Sequence, residues 1–148
     1  NAQRVLVDGN IFDGNWLEHQ VGTGIVLKSV NQNLGAPWGT TNNVTFSNNI
    51  VKNSGGGFNI SSNPQLGNVI PTHQLKIVNN LVYNIGNAPY SGPNVGTYFL
   101  GNLTDMTFDH NTIYSVGTAV SMGQLPMNDI VLKNNIRYFS LYYSNQNS

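Results

Sequence analysis

Acid and imidazole stand side by side twice in this sequence, at Glu18-His19 and at Asp109-His110. Either member of such a pair can serve as general acid or base when its surroundings tune its pKa toward the working pH. Glu18 and His19 fall in a long polar connection between apolar segments and are the catalytic candidates. Glycoside hydrolysis needs two carboxyl groups about 5 to 10 Å apart, and only Asp13 lies close enough along the chain to partner Glu18. The remaining acids and the three His are scattered without ligand spacing such as HExxH, so no metal site and no cofactor is expected. Cysteine is absent, which removes disulfides, thiolate ligands and cysteine nucleophiles.

A second group of residues has the chemistry of sugar contact. Flat aromatic rings stack on the C–H faces of pyranoses, and amides and charges bond hydroxyls. Trp16, Gln20, Lys28, Trp38, Asn59, His73, Tyr90 and Phe99 form the candidate substrate-binding set. The bulk composition agrees with such a partner. Lys plus Arg equals Asp plus Glu at 6 each, and charged residues make up only 8% of the chain. The long-range attraction that nucleic acid or anionic lipid binding requires is therefore missing. No apolar run reaches the roughly 18 residues of a membrane span. The expected partner is a polysaccharide or oligosaccharide, with no nucleic acid and no membrane insertion.

The elements that must position these residues are legible as a repeat. Five segments align without gaps: RVLVDGNIFDG from Arg4, NVTFSNNIVKN from Asn43, QLKIVNNLVYN from Gln74, DMTFDHNTIYS from Asp105 and DIVLKNNIRYF from Asp129. In each, two apolar residues alternate with an outward one, as in Val44/Phe46 and Leu75/Ile77, which is the period of a half-buried strand. An Asn follows three positions later, at Asn10, Asn49, Asn80, Asn111 and Asn135. An amide has both donor and acceptor, so stacked copies can bond one another at the strand spacing of about 4.8 Å. A second strand follows, with Phe12, Val51, Val82 and Ile113 inward and Arg137 breaking the pattern. Asp109-His110 occupies the turn positions of Ser47-Asn48, Val78-Asn79 and Lys133-Asn134, and is read as turn chemistry.

A third strand closes each unit, with Ile25/Leu27, Phe58/Ile60, Tyr98/Leu100 and Val120/Met122 expected inward and small residues before them. The fold class is therefore all-β: a parallel solenoid of about five three-stranded coils with an internal Asn ladder. A propeller would need antiparallel hairpins with their own turn signals between all strands. Insertions are uneven. Long connections follow the second strand near Asp13 to Thr23 and Asn84 to Gly96, and the third strand at Ser29 to Asn42 and Ser62 to His73. They predict a cleft on the third-strand face, over Asn59.

The repeated V-x-F-x-x-N-x-[IV] unit resembles the right-handed parallel β-helix, or pectin-lyase-like, superfamily over nearly the whole chain. WLEHQVGTGIVL, NQNLGAPW and GGGFNI resemble segments of bacterial secreted β-helix proteins that are mostly uncharacterised. The resemblance implies carbohydrate contact, with polysaccharide lyase or glycoside hydrolase as the catalytic options, and a secreted or cell-surface location. It fixes fold more firmly than activity, and the diagnostic polygalacturonase motifs are missing. A structural or adhesive solenoid without catalysis is the alternative. No cap is evident, so residues 1–148 are expected to form one β-helix domain that is a fragment of a longer solenoid, able to self-associate through uncapped ends.

Overall fold

The computed structural model describes residues 2–15, 22–29, 32–62, 70–90, 92–123, 126–138 and 141–144. The chain passes through the same three strand directions again and again. It runs β1 (Gln3–Asp8), β2 (Ile11–Asp13) and β3 (Thr23–Ser29), then β4 (Asn42–Ser47), β5 (Ile50–Ser54) and β6 (Gly56–Ser62). Next come β7 (His73–Val78), β8 (Leu81–Ile85) and β9 (Val95–Gly101), then β10 (Thr104–Asp109), β11 (Thr112–Ser115) and β12 (Thr118–Gly123), and finally β13 (Asn128–Lys133), β14 (Ile136–Tyr138) and β15 (Leu141–Ser144). The fold is all-β. Three five-stranded sheets result: β1-β4-β7-β10-β13, β2-β5-β8-β11-β14 and β3-β6-β9-β12-β15. Every pairing is parallel, as in a parallel β-solenoid.

Register follows the apolar alternation. Val44 pairs with Val5 on one side and Leu75 on the other, Leu75 with Met106, and Met106 with Ile130. In the second sheet Phe12, Val51, Val82, Ile113 and Arg137 form one column. The inward sets of all three sheets meet in a single core that includes Phe46, Ile77, Val82, Phe58, Phe99 and Phe108. Aromatic rings run along it: Phe46 meets Phe58 edge-on at 5.2 Å, and Phe99 meets Phe108 edge-on at 5.4 Å. Such edge-to-face pairs add to plain area burial.

The corner from first to second sheet takes two residues. The first is left-handed, at Gly9, Asn48, Asn79, His110 and Asn134, where glycine and asparagine meet the least steric cost. His110 belongs to this column, and its ring lies 2.8 Å from Asp109, so the pair does turn work as expected. The second corner residue is the recurring asparagine. Asn49 Oδ1 accepts from the Asn10 backbone N–H at 2.8 Å, Asn80 Oδ1 from that of Asn49 at 2.9 Å, Asn111 Oδ1 from that of Asn80 at 3.0 Å, and Asn135 Oδ1 from that of Asn111 at 2.8 Å. Each of these bonds removes a donor that the corner would otherwise bury unpaired.

The third sheet corrects one expectation. In its third turn the inward residues are Thr97 and Phe99, with Tyr98 half-buried between them on the opposite face. Tyr98 and Leu100 are therefore outward, one residue out of step with the sequence reading. The cause is the column Gly24, Gly57, Gly96 and Ala119 at the corner. A Cβ on Gly57 would collide with the Gly96 carbonyl oxygen and stand 2.7 Å from a Val82 methyl. Small residues must align there, which places Thr97, not Tyr98, beside Phe58.

Candidate functional site on the outer face of the third sheet

The expected site residues divide by position. Trp16, Glu18, His19 and Gln20 lie outside the described residues. Phe99 is in the core at 0% exposure and contacts no solvent-facing groove. It is thereby removed from the binding set, because its strand alternation points it inward. The neighbouring Tyr98 takes its place on the outer face. Aligning the sequence on its small-residue column instead of on the apolar pairs would have found this.

Lys28 and Asn59 do lie on one surface. Asn59 pairs with Val26 and Tyr98, and Tyr98 pairs with Ser121, so these four form one cross-strand row. The next outward row joins Lys28, Ser61, Leu100 and Gly123. Lys28 is thus a diagonal neighbour of Asn59, within reach of a long side chain. Ser61 escaped the sequence reading because a serine inside a strand carries no signal of its own. Asn59 Oδ1 and Ser61 Oγ are both buried and find no hydrogen-bond partner among the described residues. They leave the same strand on the same side, two residues apart. Burial raises the Tyr98 phenol pKa, so its hydroxyl stays protonated at neutral pH and is available as a donor.

Trp38 and Tyr90 flank this face on its opposite borders. Trp38 sits in the connection from the third sheet to the first and is 71% exposed. Its corner is pinned by hydroxyls: Thr41 Oγ1 donates to the Lys28 carbonyl at 2.7 Å, Thr40 Oγ1 to the Pro71 carbonyl at 3.1 Å, and Thr72 Oγ1 to Ser29 Oγ at 2.7 Å. Trp is usually well buried, yet this one projects from an ordered corner. Tyr90 is half-buried on the connection from the second sheet to the third, close to Gly14 in the previous turn but one. His73 opens β7, where its Nδ1 lies 2.7 Å from the Pro71 carbonyl oxygen. It is a corner residue of the first sheet and not part of the third-sheet rows.

Among the described residues, Lys28 is the one charge on the strands of this face, and no carboxylate lies there. The described face can bind hydroxyls and one anion but holds no acid–base pair. No group of three His, Asp or Glu able to hold a metal occurs among the described residues. No described helix is long and apolar enough to cross a membrane. Among the described residues, depressions lie elsewhere. One of about 310 Å³ is on the outer face of the first sheet, lined by Asn43, Thr45, Gln74, Lys76, Asp105 and Thr107. Another, of about 160 Å³, opens at the last turn between Phe108, Val120, Leu132 and Arg137.

Asp8 and Asp13, outside the face, have structural partners. Asp8 lies below the usual carboxylate pKa because Ser47 and then Asn48 donate to it, at 2.6 and 2.7 Å. Asp13 is lowered by Asn53 and then Lys52, the latter at 3.1 Å. Both carboxylates cap outer rows of side-chain bonds. Comparison of the chain with family models, curated proteins and solved structures finds no match.

Proposed function

We propose that this chain is a stretch of right-handed parallel β-helix of the pectin-lyase-like kind, with about five coils stacked on an internal Asn ladder, and that its third-sheet face binds a glycan on a secreted or cell-surface protein. The right hand is supported by a general rule, since parallel strands joined by a crossover in one sheet are right-handed in about 98% of cases. The amide bonds from Asn10 to Asn135 support the ladder.

The observation that carries the glycan reading is the pair of buried, unpartnered oxygens at Asn59 and Ser61. An unsatisfied buried polar atom costs roughly 1–3 kcal/mol, and a ligand hydroxyl that displaces the groups covering these two oxygens would remove that cost. Tyr98 adds a protonated phenol beside them, Lys28 a cation suited to a uronate carboxylate, and Trp38 an exposed ring for stacking. Binding is the core of the proposal. Cleavage would draw on Glu18 and His19, as a lyase or a hydrolase.

Isothermal titration against a panel of neutral and acidic polysaccharides tests it. An acidic or neutral glycan is expected to bind, and Asn59→Ala and Trp38→Ala are each expected to weaken binding while circular dichroism stays unchanged. Absence of binding across the panel, or binding that ignores both substitutions, would overturn the proposed site. Mass spectrometry of the products separates binding from catalysis, because elimination leaves an unsaturated sugar end.

A further inference from the structure

The outer face of the first sheet carries two columns of unlike chemistry, side by side across β4, β7 and β10. Asn43, Gln74 and Asp105 make one, and Thr45, Lys76 and Thr107 the other. Together they line the depression of about 310 Å³ on that face. The first column offers acceptors: two amide oxygens and a carboxylate. The second offers donors, an ammonium with a hydroxyl one strand step away on either side. Adjacent strands stand about 4.8 Å apart, so the six groups fall within the span of one small molecule.

These side chains are uncommitted. Elsewhere on the outer surface polar groups satisfy one another: Ser47 and Asn48 donate to Asp8, Asn79 Nδ2 to Asn48 Oδ1 at 2.8 Å, and Asn134 Nδ2 to Asp109 Oδ1 at 3.0 Å. None of the six makes a side-chain hydrogen bond or ion pair with another described residue. Lys76 and Asp105 stand on neighbouring strands, one diagonal step apart, and still do not pair with each other. The backbone is unusual there as well. Asn43, Gln74 and Asp105 have left-handed φ values of 50, 54 and 50°, a conformation that costs a residue such as Gln more than it costs glycine. The left-handed column extends to Arg4 and Asp129, so stacking holds it in place, and it interrupts the regular pleat beside the depression.

We propose that this depression binds a small zwitterion of the free amino acid class, its carboxylate over Lys76 between the hydroxyls of Thr45 and Thr107, and its ammonium over Asp105 and the Gln74 amide oxygen. Charge decides the class. One cation and one anion share the depression, so a ligand of a single sign is attracted by one and repelled by the other, whereas a molecule carrying both signs engages both. Size agrees, because about 310 Å³ stands at the small end of ligand sites, which run from about 300 to 1,000 Å³. The bonds formed at each end would be charge-assisted, the stronger kind, and the threonine hydroxyls can rotate to donate to the carboxylate oxygens. The site lies on a different sheet from the glycan face and shares no residue with it.

Nuclear magnetic resonance titration of the isotope-labelled chain with free L-amino acids tests this, because it reads weak binding residue by residue and both charges face solvent. Saturable shifts centred on the amides of β4, β7 and β10 are expected for at least one amino acid. Its N-acetylated form, which lacks the ammonium, and its carboxyl-amidated form, which lacks the carboxylate, are each expected to bind about fivefold more weakly. Lys76→Gln is expected to abolish the preference over the amidated form, and Asp105→Asn the preference over the N-acetylated form, with circular dichroism unchanged. A lack of saturable shifts at these strands with every amino acid overturns the proposal. So does binding that the blocked forms match in the unaltered chain, or a preference that survives its substitution. No probe carries a sugar, so failure of the glycan reading would leave this result standing.

Discussion

Replacing Asn80 by alanine tests the physics of the corner most sharply. Asn80 is 2% exposed. Its Oδ1 accepts from the Asn49 backbone at 2.9 Å and from Asn49 Nδ2 at 3.2 Å. Its own Nδ2 donates to Asn111 Oδ1 at 2.9 Å and to the Phe46 carbonyl at 3.0 Å. Alanine deletes all of these. The Asn49 N–H is left buried without an acceptor, which alone costs about 1–3 kcal/mol, and each further net bond lost contributes about 1 kcal/mol. The expected destabilisation is about 3–5 kcal/mol on that basis. Asn10 provides the internal control, because it is exposed, and its Oδ1 receives no bond from another described residue. Asn10→Ala is expected to cost under about 1 kcal/mol. Urea denaturation followed by far-UV circular dichroism measures both, with the slope checked for loss of cooperativity, since stacked repeats can unfold in parts. Equal effects at the two positions, or a loss under about 1 kcal/mol at Asn80, would refute the reasoning.

Four other outcomes follow from the same geometry. Phe99→Ala is expected to cost about 3–5 kcal/mol as a cavity mutation, whereas Tyr98→Ala is expected to spare most stability and lower glycan affinity, both read by denaturation and calorimetry. Gly57→Ala is expected to prevent normal folding, because its Cβ has the Gly96 carbonyl oxygen in its way, and loss of soluble folded protein on expression checks it. Trp38→Ala is expected to leave the melting temperature within a degree or two and to reduce glycan binding, since the residue is 71% exposed. On acidification, stability is expected to hold down to the ordinary carboxylate value of 3.8 and to fall below it. Asp8 and Asp13 have lowered folded pKa values, so their contribution is present above the unfolded pKa and is lost as pH falls through the folded one. Melting temperature against pH reads this, and the effect is modest because both groups face solvent.

The first and second sheets were legible in the sequence because their signal is redundant. Val44, Leu75 and Met106 each stand at a fixed distance before a recurring Asn, so one alignment sets strand, face and register together. The third sheet carries no such anchor. Around Thr97, the residues Tyr98, Phe99 and Leu100 are all large and apolar, and alternation alone allows either phase. Backbone sterics at Gly57 and Gly96 decide it, and those appear only when strands are packed. The candidate face was half legible. Lys28 and Asn59 were found from polar residues on a strand, whereas Ser61 and Tyr98 emerged only from cross-strand pairing. The hydroxyl-pinned corner of Ser29, Thr41 and Thr72 was hidden because the connecting segments differ in length and cannot be aligned.

Disulfide trapping offers the most direct check on the parallel, in-register arrangement, and the native chain contains no cysteine to interfere. Thr45 pairs with Lys76 and Lys76 with Thr107 on the outer face of the first sheet. Adjacent strands stand about 4.8 Å apart, inside the usual Cα range for a disulfide, and next-but-one strands at about twice that lie outside it. Oxidation of the monomer fraction is expected to close Thr45→Cys/Lys76→Cys and Lys76→Cys/Thr107→Cys within one chain, and to leave Thr45→Cys/Thr107→Cys reduced. Ready closure of the third pair, or failure of the first two in folded protein, would contradict the stacked fold and every site placed on it.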